Sequence, residues 1–220
     1  MAKLTTELLI AAYTQGFFPM ADGGRGPIKF FAADPRAIIP IAAPPGAEGG
    51  IRVSKTLRAA VRRARFAIRT DTAFERVISA CAVPRNGGEW ISTQMIPAYV
   101  ALHKLGHAHS VEAWLVDSSG RESLVGGLYG VHLAGAFFGE SMFSLPDLGG
   151  TDASKICFVH LCRHLHARGF HLLDTQFSNP HMEQFGITEV PLGHYLELLC
   201  DALAQPAPWL PWPHSGSSTA

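Results

Sequence analysis

No apolar run in this 220-residue chain reaches the roughly 18–20 residues that a membrane-spanning helix needs. Charge is also scarce, at 16% of residues, while 47% are apolar, so the chain can bury a substantial core. The opening "MAKLTTELLIAAYTQG" lacks what a leader peptide requires: Glu7 interrupts it and no small-residue cleavage site follows. It reads instead as a helix of the folded protein. There is no CxxC pair, and Cys81, Cys157, Cys162 and Cys200 all fall on helical segments. That pattern implies reduced, buried thiols in a cytosolic protein. HExxH and zinc-spaced Cys/His quartets are absent, and eleven histidines such as His103 and His107 or His160, His164 and His166 read as helix-surface residues. P-loops, GxGxxG and internal repeats are missing as well.

What is present is unevenly placed. Residues 1–70 carry eleven Lys/Arg against four Asp/Glu, and residues 71–220 carry seven against fourteen. The basic part suits a polyanion such as nucleic acid, or is simply a solvated face. The Pro/Gly-rich "IAAPPGAEGG" at 41–50 marks a boundary. The expected organisation is a small unit over 1–45, a main domain over 46–205 and a loose Pro/Ser-rich tail over 206–220.

Periodicity fills in the elements. A helix is expected near 5–15 and another after Ser54, a plausible N-cap, with Lys55, Arg58, Arg62 and Arg65 forming a cationic stripe. "FAIRT" is a short strand, and Thr72 to Glu75 has the spacing of a capping box. A helix over "STQMIPAYVALHKLG" ends at Gly106. Three strand-like runs, "SVEAWLV", "SLVGGLYGV" and "AFFGESMF", follow at short intervals and predict an antiparallel meander. Asp152 caps the next helix, Gly169 ends it, "FHLLDTQF" is a strand and "HYLELLCDAL" the last helix. The fold class is α/β with one mixed sheet.

Two polar intrusions into apolar runs ask for a use. "GAFFGESMFS", residues 135–144, contains Glu140, and "LLDTQFSN", residues 172–179, contains Asp174 and Gln176. A buried carboxylate is costly unless paired. On a strand Asp174 and Gln176 share a face, so the carboxylate could orient the amide, or it could cap the following turn. Glu140 could receive a ligand ammonium group or an internal arginine, and a bulge at Gly139 would change which face it occupies. "DLGGTDASK" could cradle an anion at a helix N-terminus.

"YTQGFFPM", "FFAADPRAIIP", "EWISTQMIPAYVALHKLGHAHSVEAW", "GGLYGVHLAGAFFGESMFS", "ASK" and "LLDTQFSNPHMEQFG" stand in one order from about residue 9 to 200. In that order they resemble the bacterial leucyl/phenylalanyl-tRNA–protein transferases. The resemblance implies a small N-terminal domain on an acetyltransferase-like (GNAT-like) domain. It implies transfer of Leu, Phe or Met from aminoacyl-tRNA to proteins with N-terminal Arg or Lys, marking them for degradation by the N-end rule. No coenzyme A, metal or ATP is implied, and the enzyme would be a cytoplasmic monomer without membrane contact. Asp174 and Gln176 fall on the family's D-x-Q pair, proposed as catalytic. Glu140 falls on the residue that contacts the α-amino group, Trp90 on a tryptophan near the terminal adenosine, and Leu128 and Phe137 on the side-chain pocket. The chain departs from familiar members at Met20, where FPW becomes "FPM", and at "FFAADPR" in place of WWSPDPR.

Two other functions compete. A coenzyme A-dependent acetyltransferase would share the architecture, but the R/Q-x-x-G-x-G/A loop that holds the coenzyme's pyrophosphate is missing. A non-catalytic RNA-binding protein would use the basic N-terminal third and leave Glu140 and Asp174 without a role.

Overall fold

The computed structural model describes residues 4–21, 26–39, 41, 50–83, 91–210 and 212. Its centre is a seven-stranded mixed sheet, and a two-stranded ribbon stands apart from it. The ribbon pairs β1 (Phe18–Ala21) with β2 (Ile28–Phe31) and follows helix α1 (Thr6–Tyr13), which Thr5 caps by accepting the Leu8 N–H. In chain order the sheet comprises β3 (Arg36–Ile39), β4 (Ala67–Thr70), β5 (Ala108–Val116), β6 (Glu122–Leu133), β7 (Ala136–Ser144), β8 (Leu172–Gln176) and β9 (Thr188–Val190). In space they run β4-β5-β6-β7-β8-β3-β9.

The three runs expected as a meander are β5, β6 and β7, paired antiparallel. The return to β8 passes through α5 (Ala153–Ala167), so β7 and β8 lie parallel. They pair only from Ala136–Phe138 to Leu172–Asp174 and then diverge. That divergence opens the cleft described below, a layout compatible with an acetyltransferase-like domain. α5 comes close to the sheet because Gly126 has no side chain: a Cβ there would stand 2.4 Å from that of Ala153.

Both faces of the sheet are buried. One carries Phe138, Tyr129 and Trp114 beneath α1, α3 (Phe74–Cys81), α4 (Ile96–Lys104) and α7 (Leu192–Leu203). The other carries Val111, Leu128, Phe137 and Leu173 beneath α2 (Lys55–Arg62) and α5. Among the described residues no helix is long and apolar enough to cross a membrane, and all four cysteines are free thiols.

Several expectations need correction. β3 precedes the Pro/Gly break yet sits inside the main sheet between β8 and β9. Thr72 makes no capping box: its hydroxyl donates to Glu112, whose fully buried carboxylate also takes the Ala73 N–H at 2.7 Å. Ser110 Oγ and Trp114 Nε1 complete that carboxylate's shell, so a strand residue caps α3 from outside. Asp152 adopts φ 60° and bonds Lys155 at 2.9 Å instead of capping α5.

The tail is not loose where it is described. Ala207 is buried, and Trp209 stacks on His109 at 4.2 Å while its Nε1 donates to Asp71 at 2.9 Å. His164, read as a surface histidine, lies buried beneath Trp209 and Trp212.

Candidate active site

The site forms where β7 and β8 part. Gly139 of β7 faces Gly130 of β6 and Ser141 faces Tyr129, so Glu140 is the extra residue of a bulge. The bulge inverts the strand's alternation. Phe138 and Phe143 therefore share one core while Phe137 and Met142 pack toward the other. Glu140 is thereby freed from the ladder and faces two phenols. Tyr13 of α1 donates to its Oε1 at 2.7 Å, and Tyr99 of α4 stands 3.3 Å from its Oε2. The two hydroxyls are 2.6 Å apart. When Glu140 is ionised, two phenolic protons cannot fill all three contacts, and the short ones define a relay, Tyr99 to Tyr13 to Glu140.

Among the described residues no arginine or lysine forms an ion pair with Glu140, and its carboxyl is pushed up to about 8. Burial is the main cause and the neighbouring Asp174 charge adds to it, against the opposing hydrogen bonds from Tyr13 and Tyr99. The phenols respond in turn: burial first, then the Glu140 charge, raises both well above the ordinary tyrosine range.

Asp174 has the opposite setting. It is fully buried and bidentate to Arg36, with Nε to Oδ1 at 2.9 Å and Nη2 to Oδ2 at 2.6 Å. Tyr195 donates to Oδ2 at 2.7 Å and the Gln176 backbone N–H to Oδ1 at 2.9 Å. The fully buried Arg36 donates to the Gly16 carbonyl at 3.0 Å and lies over the rings of Phe18 and Tyr195. Burial disfavours its cation and Asp174 more than offsets this, raising its pKa. The expected Asp174–Gln176 link exists, but through the backbone. Gln176 takes φ 58°, which turns its amide away from Asp174 and toward Glu140, Nε2 to Oε1 at 3.5 Å.

A cleft of about 690 Å³ runs from Glu140 between the diverging strands, with Leu128, Met142, Phe158, Leu161 and Met182 among its walls. Ser144, Ser154, Asp152 and Lys155 lie at its polar side. Leu128 is among its walls. Phe137 is not: it is fully buried, with its ring against Gly130 and stacked on Trp209 at 5.6 Å. Trp90 lies outside the described residues. Of the cationic stripe, Lys55, Arg58 and Arg62 are on α2, but Ala64 at φ 46° breaks the helix and places Arg65 beyond it.

Among the described residues one cluster has metal-like spacing, Asp71, His103 and His109, with one ligand atom of each within 4.8 Å of the others. Most of its polar atoms already have partners within the protein, the buried His109 Nε2 being an exception. His103 Nδ1 is 2.7 Å from the Ala108 carbonyl, and Asp71 takes bonds from Ser110 N, Trp209 Nε1 and His109 Nδ1. The cluster is a structural clasp.

Sequence reading missed Tyr13, Tyr99, Arg36 and Tyr195. For Tyr13 and Arg36 a signal was present in "YTQGFFPM" and "DPR", polar residues inside otherwise apolar blocks, but nothing local says which carboxylate each one meets.

Residues 47–200 match the pattern of the family described as leucyl/phenylalanyl-tRNA protein transferase. Residues 2–34 match that family's N-terminal domain. A leucyl/phenylalanyl-tRNA--protein transferase of Gloeobacter violaceus is 48% identical over 206 residues, covering 94% of this chain and 97% of that protein. The protein of the same name from Salinibacter ruber is 44% identical over 99% of this chain and 87% of its own. The one from Akkermansia muciniphila is 45% identical over 92% of this chain and 98% of its own. The small N-terminal unit, the mixed-sheet domain and these matches over nearly the whole length agree: the chain belongs to the leucyl/phenylalanyl-tRNA–protein transferase family.

Proposed function

We propose that this chain moves a leucyl, phenylalanyl or methionyl group from the 3′ end of an aminoacyl-tRNA to a protein acceptor in the cytoplasm. The acceptor is the α-amine of an N-terminal Arg or Lys, and the transfer marks that protein for degradation. The observation that carries the reading is the Glu140 carboxylate, which forms no ion pair among the described residues, in a cleft with an apolar wall. An aminoacyl group offers the complement, an ammonium beside an apolar side chain.

Glu140 holds the donor ammonium, and Leu128 with Met142 and Phe158 surrounds its side chain. Phe137 supports that wall from behind. Apolar pockets separate similar side chains by only about 1–3 kcal/mol, which suits a shared preference for Leu, Phe and Met. Trp90 adjoins the terminal adenosine, and Lys55, Arg58, Arg62 and Arg65 meet tRNA phosphates.

The ester is already activated, so the protein must mainly hold an amine against a carbonyl. The amine nitrogen forms the new C–N bond, the ester C–O bond breaks, and the amine's proton ends on the ribose oxygen. A protein α-amine has pKa about 7.7–8.0, so on the order of a tenth is neutral at pH 7 and no strong base is required. Gln176, whose amide shares Glu140's oxygen, aims that nitrogen. Asp174 is a positioning residue: its bonds to Arg36, Tyr195 and the Gln176 backbone leave it fixed.

The test is labelled leucyl-tRNA with a peptide beginning in Arg. Label in the peptide is expected. Label remaining on tRNA over many enzyme equivalents would overturn the reading.

A further inference from the structure

From residue 49 to 70 the chain carries seven Lys/Arg and no Asp/Glu. Arg69 is held by Glu122, and Arg58 reaches the Val53 carbonyl at 3.5 Å. Arg52, Lys55, Arg62, Arg63 and Arg65 are exposed. Alone, such a face is only a solvated helix surface.

A second feature lies against it. Between α2, β4 and α5 there is an open-sided pocket of about 220 Å³, walled by Val61, Phe66, Ile68, Ile156, His160 and Trp212, with Arg65 at its rim. Its walls are mainly apolar groups and flat rings. Trp212 stands edge-on to His160 at 6.1 Å and to His164 at 5.0 Å, and the Arg65 guanidinium lies 5.7 Å over Phe66. His160 stays neutral at physiological pH, because burial and then Arg163 push it down to about 4. The pocket floor therefore adds no charge of its own, Arg65 stands at the opening, and the other exposed cations follow on the adjoining α2 segment.

An apolar, ring-walled pocket with a cationic rim is complementary to a planar ring tethered to an anion. Nucleotides have that make-up: a base with a π-face and a phosphate on either side. We propose that the α2–α5 pocket takes one unpaired base of the bound tRNA, with Lys55, Arg62, Arg63 and Arg65 on the flanking phosphates. The inference rests on the reading that an aminoacyl-tRNA is the donor, and it adds a contact separate from the aminoacyl cleft. Helix α5 links the two. Ile156 and His160 face the pocket, while Phe158 and Leu161 face the cleft, on the same half of the helix. RNA would thus be gripped on one side of α5 and its aminoacyl end presented on the other.

The experiment is binding of an uncharged leucine-tRNA transcript to the full-length protein across a salt series. Trp212→Ala should weaken binding at least about fivefold at every salt concentration, leaving the slope of log K unchanged, since stacking releases no counterion. Ala60→Phe, which fills the pocket from α2 and keeps every charge, should do the same. Arg62→Ala with Arg63→Ala should instead flatten the slope by roughly 1.5–2 units. Wild-type affinity in both pocket variants, with the arginine effect intact, would overturn the base pocket. So would a loss in Trp212→Ala that Ala60→Phe does not reproduce, because Trp212 would then act through packing. Binding of anionic vesicles that Ala60→Phe abolishes, without an effect on tRNA, would assign the pocket to lipid. Failure of the wild-type protein to bind any tRNA would sink the proposed donor instead, and the leucyl-transfer assay reports that separately.

Discussion

Asp174 and Glu140 are close enough to share the reach of one glutamine, yet their surroundings could hardly differ more. Asp174 takes four hydrogen bonds, two of them from a fully buried arginine. Among the described residues Glu140 has only neutral phenols and an amide as hydrogen-bond partners. One carboxylate is satisfied by the protein and the other is left for something to arrive. A buried ion pair adds little net stability over an apolar substitute, but breaking it is costly. The Arg36–Asp174 pair therefore reads as a device for fixing the geometry, while the unpaired Glu140 is where binding energy can be gained.

The sharpest way to break the contrast is to strand Asp174. Arg36→Met should destabilise the protein by about 3–5 kcal/mol in denaturant unfolding, because it leaves a buried carboxylate unpaired. A loss within the error of the measurement would show the pair to be dispensable.

Glu140→Gln comes next, and it should act on function and stability in opposite directions. Donor binding should fall by about 1.5–3 kcal/mol, equally for leucyl-, phenylalanyl- and methionyl-tRNA, since each presents the same ammonium. Stability should shift the other way at high pH. With its carboxyl at about 8, the native state holds a proton that the unfolded chain loses near 4.5, so this group's contribution falls as pH rises between those values. The glutamine variant should lack that decline and exceed wild type above pH 8, as thermal unfolding at pH 6 and 9 would reveal. Donor affinity of the wild type should rise with pH toward 8 as Glu140 ionises. A reordering of the three donors by Glu140→Gln would remove it from the ammonium site.

Gln176→Ala tests the bridge between the two carboxylates. Single-turnover transfer at saturating tRNA should slow by about ten- to a hundredfold, with little change in tRNA affinity. An unchanged rate would leave Gln176 without a part in aiming the amine. The smallest effect belongs to the cleft wall. Leu128→Ala should change kcat/KM ratios among the three donors by about 1–3 kcal/mol. Phe137→Ala should cost more stability, about 3–5 kcal/mol, because it empties a fully buried site.

What could be read from the sequence was local. Ser54 as a cap, Gly106 and Gly169 as helix ends and the three-strand meander all follow from spacing and backbone freedom. Errors arose where a distant group outbid a near one. Glu112, forty residues from Thr72, takes the hydroxyl that Glu75 would have needed for a capping box. Arg36 lies 138 residues from Asp174. Glu140 was legible as a misplaced charge, but its direction depends on a bulge that no spacing reveals. Trp209 was lost to composition: a Pro-rich segment looks loose until the imidazole it covers is known.

The place of β3 between β8 and β9 also bears on how the molecule is made. Arg36 emerges from the ribosome long before Asp174, and at about 5–20 residues per second the wait is on the order of ten seconds. Through that interval the strand has neither of its neighbours, and its cation has no anion to meet. Only when the last third of the chain has arrived can the sheet close, and the same event seats Arg36 on Asp174. A nascent chain therefore has no half-assembled sheet that already holds this pair: the strand and its cation find their partners in one step.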